Sequence, residues 1–221
     1  MPNKPIALVT GANQGIGLQI AKDLVPHGFT VLVGSRSFEK GQAAAKSIGA
    51  DAHALQLDVT DHKSIAAAAE RIRQEFGRLD VLIQNAAISN INKKPGQSVE
   101  EYSKTTRPSV VSLDEMREVW DTNVFGVLAD PAYPYRAIFG PVYPASKTAL
   151  NALTVAMALE LEPQGIKVNA VSPGYTKTKL NGYSGTETVE QGAREAVRVA
   201  LLGPEGPTGK FTRWENQTIP W

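Results

Sequence analysis

The chain has 221 residues, enough for one domain, or at most two small ones, around a substantial core. Apolar residues make up 42% and charged residues 20%, and a formal net charge of +1 gives no reason to expect a nucleic acid, an anionic membrane or a polyanionic substrate. With no cysteine, disulfides and thiolate chemistry are excluded, and a reducing compartment fits. The opening "MPNKPIALVTG" lacks the apolar core and cleavage site of a signal peptide. No apolar run approaches the ~20 residues of a spanning helix. A soluble cytoplasmic protein is expected. His27, His53 and His62 have no ligand spacing, so no metal is assigned.

Strand-like and helix-like stretches alternate along the chain. "IALVT" (6–10) reads as a strand, "GLQIAKDLVPHG" (17–28) as a helix and "FTVLVGS" (29–35) as a second strand. "FEKGQAAAKSIG" (38–49) is a helix stopped by Gly49, and "AHALQLDV" (52–59) is a third strand. A helix follows from Asp61, near its N-cap, to Gly77, and then a fourth strand, "LDVLIQNA" (79–86). Residues 88–111 read as an excursion inserted into one strand-to-helix connection, where binding loops tend to lie. Helices are expected at 112–128, 143–162 and 189–203, with strands at 166–173 and 209–212. Short apolar strands each followed by a helix imply one α/β domain over 1–221. It would be a Rossmann-like, doubly wound parallel sheet with helices on both faces.

The first strand runs into "TGANQGIG" (10–17), where such a fold binds a nucleotide. Gly11, Gly15 and Gly17 permit a sharp turn and a close approach of backbone to a pyrophosphate, with Asn13, Gln14 and Ile16 completing the turn. Three glycines can also be turn chemistry alone. After the second strand comes Ser35-Arg36-Ser37, with no carboxylate until Glu39. Arg36 suits the 2′-phosphate of NADP, where an acidic residue would select NAD. Asp58-Val59 can reach the adenine, and Asn85-Ala86 can flank the ribose and nicotinamide side. Asp58 can equally cap a helix, and Asn85 can simply satisfy loop backbone.

Together with "YPASK" (143–147), these residues make the chain resemble the short-chain dehydrogenase/reductase family over nearly its whole length. "TGANQGIG", "DV" at 58–59, "QNAA" at 84–87, Asn123, "YPASK" and "PGYTKT" at 173–178 fall in family order. "TGANQGIG", "RSFEKGQAAA" and "GPTGKF" look most similar to the NADPH-dependent carbonyl reductase branch. The resemblance implies that Tyr143 protonates a carbonyl oxygen while Lys147 holds the cofactor ribose and tunes the phenol. Asn123 would hold a relay water, and Pro173, Gly174 and Thr178, or Thr176, would approach the carboxamide. Residues four apart share a helix face, so Tyr143 and Lys147 can serve one site; a plain surface pair has the same spacing. A free phenol titrates near ~10, and a nearby ammonium would lower it.

Between Asn123 and Tyr143 stand only 19 residues, "VFGVLADPAYPYRAIFGPV". A crossover and a strand need more, and Pro131, Pro134 and Pro141 argue against a central strand there. The stretch also has no serine or threonine, although the family carries its catalytic serine just past that strand. The apparent junction is Ala129-Asp130, and one central strand is expected to be missing. Either a stretch of chain is present but unplaced, or the deletion is real. The expected function is NADPH-dependent reduction of a ketone, aldehyde or quinone, or the reverse alcohol oxidation, on a small molecule. The alternative is a catalytically impaired dinucleotide-binding or sensor protein. A sugar-nucleotide epimerase is weaker, because the part after residue 178 is too short for a substrate domain. Monomer and homo-oligomer both remain open.

Overall fold

A computed structural model gives the architecture. It describes residues 4–88, 92, 94, 96–98, 101–102, 105, 112–115, 117, 119 and 142–220. By contacts the chain divides into two compact units. One comprises Met1–Ala86, Val171–Glu205 and Thr212–Ile219; the other comprises Ala87–Ala170, Gly206–Phe211 and Pro220–Trp221.

In the first unit, strands β1 (Ile6–Val9), β2 (Thr30–Ser35), β3 (Ala52–Gln56) and β4 (Val81–Ile83) form a parallel sheet in the order β3-β2-β1-β4. Leu8 stands between Leu32 and Leu82, and Ala7 between Val31 and Val81. Alternate residues point to opposite faces, and both faces are covered. Ala7, Val9, Val31 and Val33 pack with helices α1 (Gly15–Leu24), α2 (Phe38–Ile48) and α5 (Val189–Ala200). Ile6, Leu8, Leu32 and Leu55 pack with Ala68 and Ile72 of α3 (His62–Phe76). Each large side chain buried this way contributes about 1.5–3 kcal/mol. The doubly wound reading holds.

Several boundaries move, for local reasons. Helix α1 starts at Gly15, inside the glycine turn, and ends at Leu24. Pro26 lacks an N–H, and residues Val25–His27 tighten into a 3-10 turn closed by Gly28 at φ 87°. Asp61 caps α3, its carboxylate accepting from the Lys63 N–H at 2.9 Å, and left-handed Gly77 ends it. Strands β3 and β4 are shorter than the apolar runs that announced them.

Leu82, on β4, is 50% exposed, while Leu8 beside it is 5% exposed. On that face, among the described residues, α3 packs with side chains of β1 to β3 and not with Leu82. Among the described residues, β4 pairs with β1 alone. The remaining strands, β5 (Ala170–Ser172), β6 (Phe211–Arg213) and β7 (Gln217–Thr218), form a separate sheet in that order, with β6 and β7 antiparallel. The two-residue β7 has no periodic signature in the sequence.

The second unit contains helix α4 (Val142–Leu161), as expected for 143–162. In the expected 112–128 helix, described residues 113–115, 117 and 119 are helical. Asn92 and Tyr102, from the inserted excursion, both hydrogen-bond the carboxylate of buried Glu115. The junction at Ala129-Asp130, and with it the choice between unplaced chain and a real deletion, lies outside the described residues. Asn123 and the expected missing strand lie outside the described residues.

Candidate functional site

The glycine turn after β1 belongs to the first unit. Thr10, 5% exposed, is its hub: its Oγ1 accepts from the N–H groups of both Asn85 and Ala86 at 3.0 Å. Asn85 answers with Nδ2, which donates to the Thr10 carbonyl at 2.9 Å and more weakly to that of Gly11 at 3.4 Å. This amide therefore fixes the turn from within. Gly11 (φ 64°) and Gly15 (φ 59°) occupy the left-handed region. Gly17 is required differently, because a Cβ there would lie 2.4 Å from Asn85 Nδ2.

The donor set fits an anionic dinucleotide. Gln14 precedes α1 in extended conformation and gives it no side-chain cap, so the N–H groups opening the helix are not satisfied by their own cap. Asn13 is half-buried and Gln14 exposed, whereas Ile16 packs inward against the core.

Arg36 is exposed just past β2, after buried Ser35. Asp58 lies past β3. The Thr60 N–H and hydroxyl both donate to its Oδ1, at 2.9 and 2.7 Å. These two bonds hold its carboxyl below the usual value against the opposing effect of burial, with a smaller contribution from the Arg36 charge. Asp58 does not cap α3, since Asp61 does; instead its N–H donates to Ser64 Oγ at 2.9 Å. Val59 packs against the α3-side core.

The segment after β5 closes the same unit. Gly174 adopts φ 72°, and the Glu187 carboxylate lies where a Cβ would be. Thr176 is 4% exposed, and its hydroxyl donates to the Pro173 carbonyl at 2.9 Å. A Cβ on Gly192 of α5 would meet that hydroxyl at 2.4 Å. Thr178 differs, being half-buried with its methyl 3.5 Å from the Cβ position of Gly15. The sequence offered both threonines, and the structure sets one inward and the other beside the glycine turn.

Tyr143 and Lys147 belong to the second unit. They share one face of α4, with Lys147 Nζ 5.5 Å from the centre of the Tyr143 ring. Both are half-buried, and burial lowers the Lys147 ammonium to about 8. Between them Ser146, fully buried, donates its hydroxyl to the Tyr143 carbonyl at 2.7 Å. Among the described residues, no group of His, Asp and Glu could hold a metal ion, and no helix is long and apolar enough to cross a membrane. Sequence reasoning missed Thr10, and also Asn181, whose amide bonds backbone on both sides of Lys177.

The model of the short chain dehydrogenase family matches residues 5–129 and 132–188. The short-chain dehydrogenase anuI of Penicillium roqueforti is 30% identical, with 98% of this chain and 96% of that protein aligned. The short-chain dehydrogenase/reductase ATR10 of Stachybotrys chlorohalonatus is 34% identical over 99% and 94%. Carbonyl reductase [NADPH] 1 of Mus musculus is 28% identical over 99% of each. Among solved structures, salutaridine reductase from Papaver somniferum matches with a TM-score of 0.76 at 24% identity, over 96% of this chain and all of that one. A 3-ketoacyl-(acyl-carrier-protein) reductase from Brucella melitensis, complexed with NADH, matches with a TM-score of 0.76 at 23% identity, over 95% and 96%. At these identities the solved structures show the fold. The alignment with the Penicillium protein runs over 257 positions yet holds 98% of this 221-residue chain. Some tens of aligned positions thus have no counterpart here. The family match itself breaks at 130–131, beside the expected junction.

Proposed function

Because the chain belongs to the short-chain dehydrogenase family, whose members are oxidoreductases that bind nicotinamide dinucleotides, we propose that it is an NADPH-dependent reductase of a ketone, aldehyde or quinone. The observation that carries this reading is the Tyr143–Lys147 pair, with Nζ 5.5 Å from the phenol ring on one helix face. The relative named for NADPH and for carbonyl reduction, alike over 99% of both chains, supports the choice of cofactor and substrate class.

A reduced dinucleotide supplies the hydride when bound. The chain's own part is to hold it and to move one proton. The turn from Gly11 to Gly17 would hold the pyrophosphate at the opening of α1. Arg36 would hold the 2′-phosphate, and Asp58, whose Oδ1 is engaged by Thr60, would accept the adenine amine. Asn85 and Ala86 shape the ribose side. Thr178, rather than inward-turned Thr176, completes the nicotinamide end with Pro173 and Gly174. Tyr143 Oη donates its proton to the carbonyl oxygen as charge develops there. The Lys147 ammonium then stabilises the phenolate left behind, and Asn123 acts with Lys147 in proton return.

The test is dinucleotide oxidation in the presence of a quinone, an aromatic aldehyde and a cyclic ketone. Turnover by the natural chain should fall by roughly 10²–10⁴-fold in Tyr143→Phe, with NADPH affinity retained. No carbonyl-dependent oxidation by either protein would overturn the reductase reading. If NADPH still bound, that result would identify a dinucleotide-binding protein lacking the serine.

A further inference from the structure

We propose that Asn181 is a positioning residue for dinucleotide binding, acting through Thr178. It closes the short 3-10 turn Lys179–Asn181. Its Nδ2 donates to the Thr176 carbonyl at 2.9 Å, and its Oδ1 accepts from the Thr178 N–H at 3.2 Å. One side chain thereby ties the backbone on both sides of Lys177. An amide at this reach supplies the donor and the acceptor together; aspartate keeps only the acceptor and alanine neither.

The other side of Thr178 is fixed too. Its carbonyl accepts from the N–H groups of Tyr183 at 2.8 Å and Asn181 at 3.3 Å. To make these bonds the chain passes through two successive left-handed residues, Gly182 (φ 62°) and Tyr183 (φ 63°). The second is costly for a side-chain-bearing residue and persists because its surroundings hold it. The Thr178 side chain takes part as well: its hydroxyl oxygen accepts from the Asn181 backbone in a capping box, which leaves the hydroxyl proton to give, and its methyl faces the Cβ position of Gly15. At the far end, Thr176 is locked against Gly192 and Pro173. Asn181 joins that anchored point to Thr178 and, through the reciprocal capping box, holds the Thr178 hydroxyl in place, so a dinucleotide is met without ordering the loop during binding.

This inference rests on the dinucleotide reading above. The test is a double-mutant cycle on the full chain, titrating NADPH and following nicotinamide fluorescence, with Asn181→Ala, Thr178→Ala and the double variant. Each single change should weaken binding about tenfold, the size of one lost hydrogen bond to a charged or polar cofactor group. The double variant should bind no more weakly than either single one. A merely structural asparagine gives additive losses, and additivity overturns the proposal, as does unchanged affinity in Asn181→Ala. Should the alanine variant fail to fold, Asn181→Asp, equal in size and retaining the acceptor, is read in the same cycle. If the natural chain binds neither NADPH nor NADH, the dinucleotide reading falls and this inference with it.

Discussion

Gly17 and Asn85 fit together with no space between them: a Cβ on Gly17 would lie 2.4 Å from Asn85 Nδ2 and 2.8 Å from the Gly11 carbonyl. The same Nδ2 holds the Thr10 carbonyl, so the contact reaches the hub of the glycine turn. Gly17→Ala should therefore displace the amide and open the turn. Overpacking of this kind costs about 1–3 kcal/mol. The expected outcome is a lower urea midpoint together with weaker NADPH binding. Asn85→Ala should weaken binding as well, and the losses of the two changes should not add. A Gly17→Ala protein with natural affinity would mean that the turn tolerates the shift.

In the proposed function, Arg36 is the residue that selects NADP over NAD. It is exposed, close enough to Asp58 to favour that carboxylate's charge, and followed by no acidic residue until Glu39. Removing it leaves Asp58 to repel a 2′-phosphate without a compensating cation. Arg36→Ala should raise KM for NADPH on the order of 10- to 100-fold, the range of a charge-assisted hydrogen bond. KM for NADH should change little. Equal losses for both dinucleotides would remove the basis for preferring NADP.

Much of this arrangement was legible in the sequence because it is local. The apolar runs and their stops gave β1, β2, α2 and α3 nearly to the residue, since Gly49, Asp61 and Gly77 act within one turn of themselves. Features that depend on distant partners were hidden. The direction of Thr176 is set by Gly192 and Pro173, and no spacing rule separates it from Thr178. Glu195, 1% exposed, is paired with Arg198 three residues on, which reads in sequence like any solvated helix pair. Asn181 looks like a turn residue until its two backbone partners are known. The short strands β4 and β5 reflect ladder partners, which an apolar run does not specify.

Lys147 has a pH signature of its own. Burial lowers its ammonium from 10.5 to about 8, so it loses charge just above neutrality. The phenolate of Tyr143 is then less well stabilised, and kcat/KM should decline as pH rises through about 8. Lys147→Arg, charged throughout, should lose this decline even if its rate is lower. The stability effect has the opposite sign. The unfolded chain binds the proton more tightly, so the penalty is fully present below about 8 and is relieved as pH rises from there towards 10.5. Lys147→Met should consequently raise Tm at pH 7 while abolishing turnover, measured by calorimetry and by the carbonyl assay.

Leu82 tests what covers β4 in solution. Its neighbours in register are Leu8, 5% exposed, and across β1 Leu32, 1% exposed, yet Leu82 itself is 50% exposed. Leu8→Ala and Leu32→Ala remove packed core and should each cost about 2–5 kcal/mol. Leu82→Ala deletes a side chain already half in water and should cost less than about 1 kcal/mol. Urea unfolding of the three variants decides it. A cost for Leu82→Ala equal to that of Leu8→Ala would show that some element covers β4 in solution. A small cost would show that the Leu82 side chain is half in water in solution too.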